Sequence, residues 1–250
     1  MTGAYGSDIE KRAGSCAVPF EETYFEGYGS AGGCYEQQRD NPTFAKRIRE
    51  LAALGTTGGR FLDIGCAYGF FMEVAERSGF RTYGIDISQH ALHKARRYTQ
   101  GPLLCLDVSR HPLPFVSDSF DVITYMNTLE HLESYVASVR EVFRALSPGG
   151  LVHIYVPAHG RWFTDATHIN YFTVDSLRFV LERIGFEIVK LGEERGPWSR
   201  VFAGLRLVFR GNTNFNYVPK GLGSFIACYA RKPAGPEVDH RGQDREVVRR

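Results

Sequence analysis

Residues 61–88 read FLDIGCAYGFFMEVAERSGFRTYGIDIS, the most informative stretch of the chain. An apolar strand ends at Asp63, a turn of small residues follows, and a helix leads to a second strand that ends at Asp86. Small residues at a helix N-terminus let backbone amides approach a ligand, and an acidic residue after the second strand accepts hydrogen bonds from ribose hydroxyls. The stretch therefore predicts a binding site for a cofactor that contains a nucleoside.

The turn has the spacing DxGxAxG, with Asp63 two positions before Gly65, and not the spacing GxGxxG. In a dinucleotide-binding fold the helix N-terminus faces a pyrophosphate, which a carboxylate at this place would repel. Asp63 therefore favours a cofactor that brings positive charge.

On both sides of this stretch, helical and extended segments alternate, which is typical of a parallel sheet with helices on both faces. Asn41, Ser88 and Thr173 each precede a helical segment as a candidate cap, and the helix after the fourth strand should stop at residues 147–150, SPGG. The predicted helices cover 44–54, 70–79, 89–99, 134–146 and 174–185, and the predicted strands cover 60–65, 82–87, 103–108, 119–126, 151–157, 186–192 and 223–231.

Five segments, in order and at the family's spacing, resemble the class I methyltransferases that use S-adenosylmethionine, and in particular the branch that acts on sugars and natural products. These segments are 63–69, in which Ala67 stands where many members have glycine, Asp86, Asp107-Val108, 117–132 and 139–157. The resemblance covers about residues 44 to 231.

The resemblance implies an α/β fold, namely a Rossmann-like, seven-stranded and mostly parallel sheet with helices on both faces. The last strand, 223–231, should run antiparallel beside the fifth. The implied cofactor is S-adenosylmethionine and the product S-adenosylhomocysteine. The resemblance also implies cofactor-binding roles for residues at the carboxyl ends of the strands: Asp63, Gly65, Cys66, Ala67, Gly69, Asp86, Ile87, Asp107, Val108 and Asn127.

Missing signatures narrow the expected acceptor. Residues 126–131 read MNTLEH where methyltransferases of nucleic-acid amino groups typically have a [DN]PP[YF] segment, and none of the five cysteines follows a proline, as cytosine C5 methylation requires. The Asp-Asn pair of metal-dependent catechol methylation is also not seen. The resemblance thus implies a small-molecule acceptor, a sugar or natural product, methylated at a hydroxyl, amino or carbon centre.

Two histidines are candidate catalytic residues. His131, in the Glu130-His131 pair after the fourth strand, would take the proton of an acceptor hydroxyl, because imidazole titrates near neutrality. His168 lies in a loop that resembles the acceptor-lining segment of the family. Alternatively, both positions only pack or anchor their loops. The expected substrate-binding residues are Tyr24, Tyr28, Glu130, Asp165 and Tyr171.

Residues 23–38 are rich in aromatic side chains and glycine. They would form either a lid over cofactor and acceptor or an N-terminal arm packed against the sheet edge. We therefore expect a single domain over 19–231 that begins with a lid segment, 19–43. Disordered tails would cover 1–18 and 232–250, because both are polar and lack periodicity.

Composition sets further limits. The 30 Lys and Arg nearly balance the 28 Asp and Glu, so charge does not indicate a nucleic-acid partner, and Lys46, Arg47, Arg49 and Glu50 read as a solvated helix face. The sequence has no apolar run of membrane length and no signal-peptide core, which favours a cytoplasmic protein with no membrane partner. The cysteines are scattered and no HExxH pair occurs, so we expect free thiols and no metal.

Two other functions stay open at this point. One is a dinucleotide-dependent oxidoreductase on the same layered fold, which Asp63 disfavours. The other is a methyltransferase-like protein that binds the cofactor without catalysis. Oligomeric state, the identity of the acceptor and the atom that receives the methyl group are not determined by the sequence.

Overall fold

The computed structural model describes residues 20–27, 34–158, 167–195 and 223–234. Its helices are α1 (Glu22–Glu26), α2 (Pro42–Ala53), α3 (Phe70–Arg77), α4 (Gln89–Ala95), α5 (Tyr135–Ala145) and α6 (Val174–Ile184). Its strands are β1 (Gly59–Ile64), β2 (Phe80–Asp86), β3 (Leu103–Cys105), β4 (Phe120–Met126), β5 (Leu146–Pro157), β6 (Glu187–Arg195) and β7 (Gly223–Arg231).

Within the described residues, the strands form one seven-stranded sheet in the order β3-β2-β1-β4-β5-β7-β6. Strands β1 to β5 pair in parallel, and β7 runs antiparallel to both β5 and β6. The predicted Rossmann-like α/β fold, with its last strand antiparallel beside the fifth, is confirmed.

Alternating side chains of the central strands supply two apolar cores, one on each face of the sheet. Phe61 faces the core that holds α2 and α3, whereas Leu62 faces the core that holds α5 and α6. Both residues are fully buried, as expected for central parallel strands covered on both sides. Helices therefore lie on both faces of the sheet.

Helices α2, α4 and α6 begin at the predicted caps. The side chain of Asn41 accepts a hydrogen bond from the Thr43 N–H at 2.9 Å, and Ser88 Oγ accepts from the Ala91 N–H at 3.1 Å. Thr173 and Ser176 bond reciprocally in a capping box at the start of α6. Each cap satisfies a backbone donor that the first helical turn leaves unpaired.

Several predicted boundaries differ from the structure, most clearly the end of α4 and the start of β5. Helix α4 ends at Ala95, and the Tyr98 N–H bonds back to the Ala95 carbonyl in a tight turn. Strand β5 begins at Leu146, so residues 147–150 belong to the start of the strand, where a register shift opposite Phe120 and a positive φ of 80° at Gly149 mark an irregularity. Local propensity does not show that this turn continues into a strand.

The prediction of a solvated face on the first helix is wrong for Arg47. Its side chain has no exposed surface, and its guanidinium bonds to Glu194 Oε2 at 2.6 Å and to Glu50 Oε2 at 2.7 Å. The guanidinium also lies 4.5 Å from the centre of the Tyr155 ring. We call Arg47, Glu50, Glu194, Lys190 and Tyr229 the edge network, since Lys190 and Tyr229 also donate to Glu50.

Burial opposes charge on Glu50, but hydrogen bonds from Lys190, Tyr229 and Arg47 outweigh it and lower the pKa of this carboxyl to about 2. The edge network is therefore charged at neutral pH. It joins α2 to β6 and β7, whose residues lie far away in sequence, which is why the helix sequence alone looks solvated.

Several predictions about organisation fall on residues beyond the described ranges. They concern the tail 1–18 and most of the tail 232–250, so the domain bounds stay predictions. Among the residues described, the cysteines at 34, 66, 105 and 228 are free thiols. None of the described helices is long and apolar enough to span a bilayer.

Candidate cofactor and acceptor site

The carboxyl ends of the central strands bring the predicted polar residues to one edge of the sheet. Strand β1 lies between β2 and β4, so that Asp63 of β1 pairs in register with Gly84 on one side and with Thr124 on the other. Asp86 is the last residue of β2, and Asn127 directly follows β4. Asp107 lies two residues after β3, which is shorter than predicted.

The loop after β1 is held against the end of β2. The N–H groups of Gly65 and Cys66 both donate to the Ile85 carbonyl, at 2.7 and 3.0 Å. Gly65 has a φ of 76°, and a Cβ added there would lie 2.2 Å from Thr128 Oγ1, so the position excludes a side chain. Ala67 also has a positive φ, 47°, the conformation that glycine adopts more readily.

Asp86 has a second role that the sequence did not reveal. Its Oδ2 accepts the Ala67 N–H and its Oδ1 accepts the Ser88 N–H, both at 2.8 Å. Burial raises the pKa of this carboxyl, and the hydrogen bonds from Ser88, Ala67 and Ile87 counteract the rise. Asp86 thus connects the loop after β1 to the start of α4 and also lies where ribose hydroxyls are predicted.

Asp63 is almost completely buried, with 2% of its surface exposed. Its Oδ1 accepts a hydrogen bond from Thr124 Oγ1 at 2.6 Å. Burial raises the pKa of Asp63 to about 7 in spite of this bond, and the charge of neighbouring Asp86 adds to the rise. The pair therefore does not carry two full negative charges at neutral pH, and a cation placed beside it would draw the proton from Asp63.

Cys66 lies next to the two carboxyls and is also buried. Burial, together with the charges of Asp86 and Asp63, raises the pKa of its thiol well above the usual value. This cysteine is therefore an uncharged packing residue of the loop.

The residues predicted to contact adenine lie at the far side of the same edge. Asp107 Oδ1 accepts the Ser109 N–H at 2.9 Å, and its Oδ2 lies 3.3 Å from Arg110 Nε. Val108 is buried in the core beneath the edge, and Ile87 is half-buried. The adenine amino group would therefore share the Asp107 carboxylate with two donors of the chain itself.

Asn127 presents an unsatisfied acceptor. The residue adopts a φ of 53°, and its N–H donates to the Tyr155 carbonyl at 2.8 Å. Its Oδ1 is buried and has no hydrogen-bond partner within the described part of the chain. Because buried polar atoms are normally satisfied, this oxygen suits a ligand that brings a donor.

His131 lies in a short helical turn, Leu129–His131, directly after β4. Its Nδ1 lies 3.1 Å from the Thr167 carbonyl oxygen and 3.0 Å from Thr167 Oγ1. Since a carbonyl oxygen only accepts hydrogen bonds, the contact with the Thr167 carbonyl favours the tautomer with the proton on Nδ1, which in the neutral ring leaves the lone pair on Nε2. In this tautomer, a neutral imidazole accepts a proton or binds a cation through Nε2.

The loop that carries His168 is anchored on this turn. The N–H groups of Ile169 and Asn170 both donate to the Glu130 carbonyl at 3.0 Å, and the Asn170 side chain donates to the Leu132 carbonyl at 2.7 Å. The rings of His131 and His168 consequently lie 4.8 Å apart, centre to centre. The hydrogen bonds of Asn170 thus anchor the loop that carries His168 to the turn after β4.

Tyr171, predicted to bind substrate, is 62% exposed, whereas Glu130 is 1% exposed beside His131. Tyr28 and Asp165, the other predicted substrate-binding residues of these segments, lie outside the described residues. The structure thus brings together Glu130, His131 and His168 from the predicted acceptor site.

The aromatic N-terminal segment crosses the site. Phe25 is buried with its ring 5.1 Å from Tyr68 of the loop after β1 and 6.1 Å from His90 of α4. Phe20 lies 5.2 Å from the His131 ring, and Tyr24 lies 5.0 Å from Phe20. These contacts place the segment over the carboxyl ends of the strands, where a lid would lie.

Comparison with known proteins adds a family and a fold. The family described as "Methyltransferase domain" matches residues 35–191, which is more than half of the chain. A ubiquinone biosynthesis O-methyltransferase of Nitrosococcus oceani is 34% identical over 116 residues, 45% of this chain and 48% of that protein. The chain therefore matches about half the length of this curated relative.

Solved structures agree on the fold. An S-adenosylmethionine-dependent methyltransferase from Archaeoglobus fulgidus superposes with a TM-score of 0.61 at 20% identity, covering 84% of this chain and 97% of the other. One from Mesorhizobium loti has a TM-score of 0.54 at 24% identity, covering 73% and 96%. At these identities the likeness is one of fold.

Proposed function

The chain belongs to the family of methyltransferase domains, and from this premise we propose that it transfers the methyl group of S-adenosylmethionine to a hydroxyl group of a small metabolite. One observation carries the proposal, namely the buried carboxylate pair Asp63 and Asp86 at the carboxyl ends of adjacent strands. A buried acidic pair favours a cationic, hydroxyl-bearing ligand over an anionic one.

The side chains at this edge fit S-adenosylmethionine because they offer acceptors to a ligand rich in donors. Asp86 would hold the ribose hydroxyls, Asp107 the adenine amino group, and Asn127 Oδ1 would accept from a further donor. Bound there, the cofactor supplies a methyl carbon made electrophilic by its sulfonium, so the task of the protein is alignment and proton management.

The same electrostatics count against a dinucleotide cofactor. A pyrophosphate at the loop after β1 would face Asp63 and Asp86, with no lysine or arginine among the hydrogen-bond partners of these two carboxylates in the described chain. Repulsion between the pyrophosphate and these carboxylates would weaken binding. The oxidoreductase alternative is therefore disfavoured by the site as well as by the sequence.

Oxygen is the acceptor atom that we favour. A hydroxyl must lose its proton when it is methylated, and His131 offers an Nε2 lone pair just beyond β4, with His168 beside it. The curated relative is named an O-methyltransferase, which supports this choice. We propose a hydroxyl of a sugar or natural product as the acceptor, with proton removal at the two histidines.

A binding and turnover assay tests the proposal. Purified protein should bind S-adenosylmethionine and S-adenosylhomocysteine with dissociation constants in the micromolar range, about −7 to −8 kcal/mol by calorimetry, and should not bind NAD comparably. Formation of S-adenosylhomocysteine is then measured with matched pairs of hydroxylated and aminated sugars and phenols. Binding of NAD alone would end the proposal, and cofactor binding with no turnover on any acceptor would favour a non-catalytic protein.

The acceptor side is tested by His131→Gln, with His93→Gln on the exposed face of α4 as the matched control. If His131 handles the acceptor proton, kcat should fall roughly 10²- to 10⁴-fold while cofactor affinity is retained. A near-parental kcat for His131→Gln would reject its role and direct attention to His168.

A further inference from the structure

The predicted acceptor site contains a cluster of three possible metal ligands, namely Glu130, His131 and His168. Each offers one ligand atom, and these atoms all lie within 4.8 Å of one another. We propose that this cluster, which we call the Glu-His-His cluster, binds one divalent transition-metal cation that holds the acceptor hydroxyl.

The distances suit a cation after a small contraction. Imidazole nitrogens and carboxylate oxygens bind Zn²⁺ at about 2.0–2.2 Å, which places neighbouring ligand atoms roughly 3–4 Å apart. The ligand atoms of the cluster lie within 4.8 Å of one another and would reach this spacing if side-chain rotations moved them by about 1 Å. Glu130 and His131 are adjacent in the turn after β4, and His168 lies on a loop that hydrogen bonds hold to that turn.

The surroundings of His131 match those of a ligating histidine. Metal-binding imidazoles commonly donate their other ring N–H to a backbone carbonyl, which fixes the tautomer and the ring orientation. The His131 Nδ1 has this contact with Thr167, the residue directly before His168. The hydrogen bonds from Ile169 and Asn170 to the Glu130 carbonyl hold the same loop on the ligand-bearing turn.

The donor set indicates the kind of cation. Two imidazoles and one carboxylate suit first-row divalent ions such as Mn²⁺, Co²⁺ and Zn²⁺, whereas Mg²⁺ and Ca²⁺ prefer oxygen ligands throughout. Three protein ligands leave positions open for water and substrate oxygen. One carboxylate and one deprotonated hydroxyl together balance the charge of a divalent cation.

The chemical consequence rests on the proposed O-methyl transfer. A hydroxyl bound to the cation would have a lowered pKa, so that its O–H bond breaks, the electron pair stays on oxygen and the proton leaves to water. The oxygen would then form a bond to the methyl carbon as the bond from that carbon to the sulfonium sulfur breaks, and S-adenosylhomocysteine would leave. With the cation bound, the two imidazoles act as its ligands, and the cation takes over the activation of the hydroxyl that the proposed function assigns to direct proton removal by these histidines. Sequence analysis predicted no metal because it searched for ligands at short, motif-like spacing. His168 comes 37 residues after His131, so the cluster has no such spacing.

The binding test uses tag-free, full-length protein dialysed against EDTA and then titrated with Mn²⁺, followed by the electron paramagnetic resonance signal of the free ion. We expect one Mn²⁺ per chain with a micromolar dissociation constant, and at least a tenfold loss of affinity in each of His131→Gln and His168→Gln. His93→Gln, exposed on α4, should bind like the parent. Co²⁺ gives an independent readout, because its visible absorption changes when an imidazole ligand is lost.

Calorimetry with S-adenosylhomocysteine shows that each variant is folded. If the parent binds neither Mn²⁺, Co²⁺ nor Zn²⁺ at about 1 mM, or if His168→Gln binds them as the parent does, the inference is wrong. Methyl transfer that persists in EDTA also overturns it while leaving the proposed function intact. A cation bound through the two histidines, with no transfer to any acceptor, would support the site and contradict the proposed function.

Discussion

Replacing Asp63 with asparagine removes the buried carboxyl whose pKa is raised to about 7 and keeps nearly the same shape. The Thr124 hydroxyl, which donates to Asp63 Oδ1 at 2.6 Å, finds an equivalent acceptor in asparagine. The substitution therefore changes the ionisation of this position more than its packing.

The magnitude follows from the shift in pKa. In the unfolded chain an aspartate titrates near pH 3.9, so between about pH 4 and 7 the folded state holds a proton that the unfolded state has lost. The free energy of unfolding of the parent must therefore fall as pH rises through this window. A rise of the Asp63 pKa from about 3.9 in the unfolded chain to about 7 in the folded protein changes the free energy of unfolding by roughly 4 kcal/mol at most. Asp63→Asn should be about 2–4 kcal/mol more stable than the parent at pH 8, and the difference should shrink towards pH 4.

Cofactor binding tests the ionisation of the same carboxyl. Burial favours its protonated form, whereas a bound cation favours its ionised form. A cationic cofactor favours ionised Asp63, so binding of S-adenosylmethionine to the parent at pH 7 should release a fraction of a proton. Asp63→Asn should release none from this position and should bind the cofactor about 1–3 kcal/mol more weakly. Calorimetry in two buffers of different ionisation enthalpy measures the protons released.

Urea unfolding at several pH values measures the stability difference, with Asp40→Asn, which removes an exposed carboxylate, as the control. Parallel pH profiles of stability for the parent and Asp63→Asn, or equal proton release by the two proteins on cofactor binding, would refute the reasoning. Either result would mean that Asp63 is ionised in the cofactor-free protein in spite of its burial.

Two further substitutions test the cofactor edge and the edge network. Asp86→Asn should weaken binding of S-adenosylhomocysteine by about 1–3 kcal/mol, because a charged acceptor for two hydroxyls is lost. Asp107→Asn should weaken binding less. If calorimetry finds that both variants bind as the parent does, the cofactor contacts are assigned to the wrong strand ends. Arg47→Met should destabilise the protein by about 3–5 kcal/mol in urea because Glu50 and Glu194 lose their fully buried cationic partner, and, of the residues that the structure describes, Glu194 keeps only the more exposed Lys46. Arg49→Met on the exposed face of the same helix should change stability by less than about 0.5 kcal/mol, and a similarly small effect of Arg47→Met would contradict the burial argument.

The sequence was sufficient to predict the sheet and the residues at its carboxyl edge. Strand-turn-helix units repeat in it with acidic residues at the strand ends, and parallel pairing brings such ends together. The caps Asn41, Ser88 and Thr173 were equally predictable, because capping depends on a few neighbouring residues.

Contacts between distant segments were not predictable in this way. Arg47 looks like a surface residue until β6 brings Glu194 to it, and His131 and His168 become neighbours only because Asn170 bonds to the turn after β4. The structural role of Asp86 was also missed, since a backbone N–H of the preceding loop is its partner. Periodicity and spacing report local order, whereas these contacts depend on tertiary packing.

The edge network makes folding of the domain a non-local process. Arg47 and Glu194 are separated by 147 residues, so during synthesis helix α2 leaves the ribosome long before the strand that pairs with it. Contacts of such large sequence separation form slowly, and the side chains that await them stay exposed to solvent and to other chains. A nascent chain that has not yet emerged beyond β5 therefore holds a cationic helix without its anionic partner, and one of the first helices to be made is among the last to reach its native surroundings.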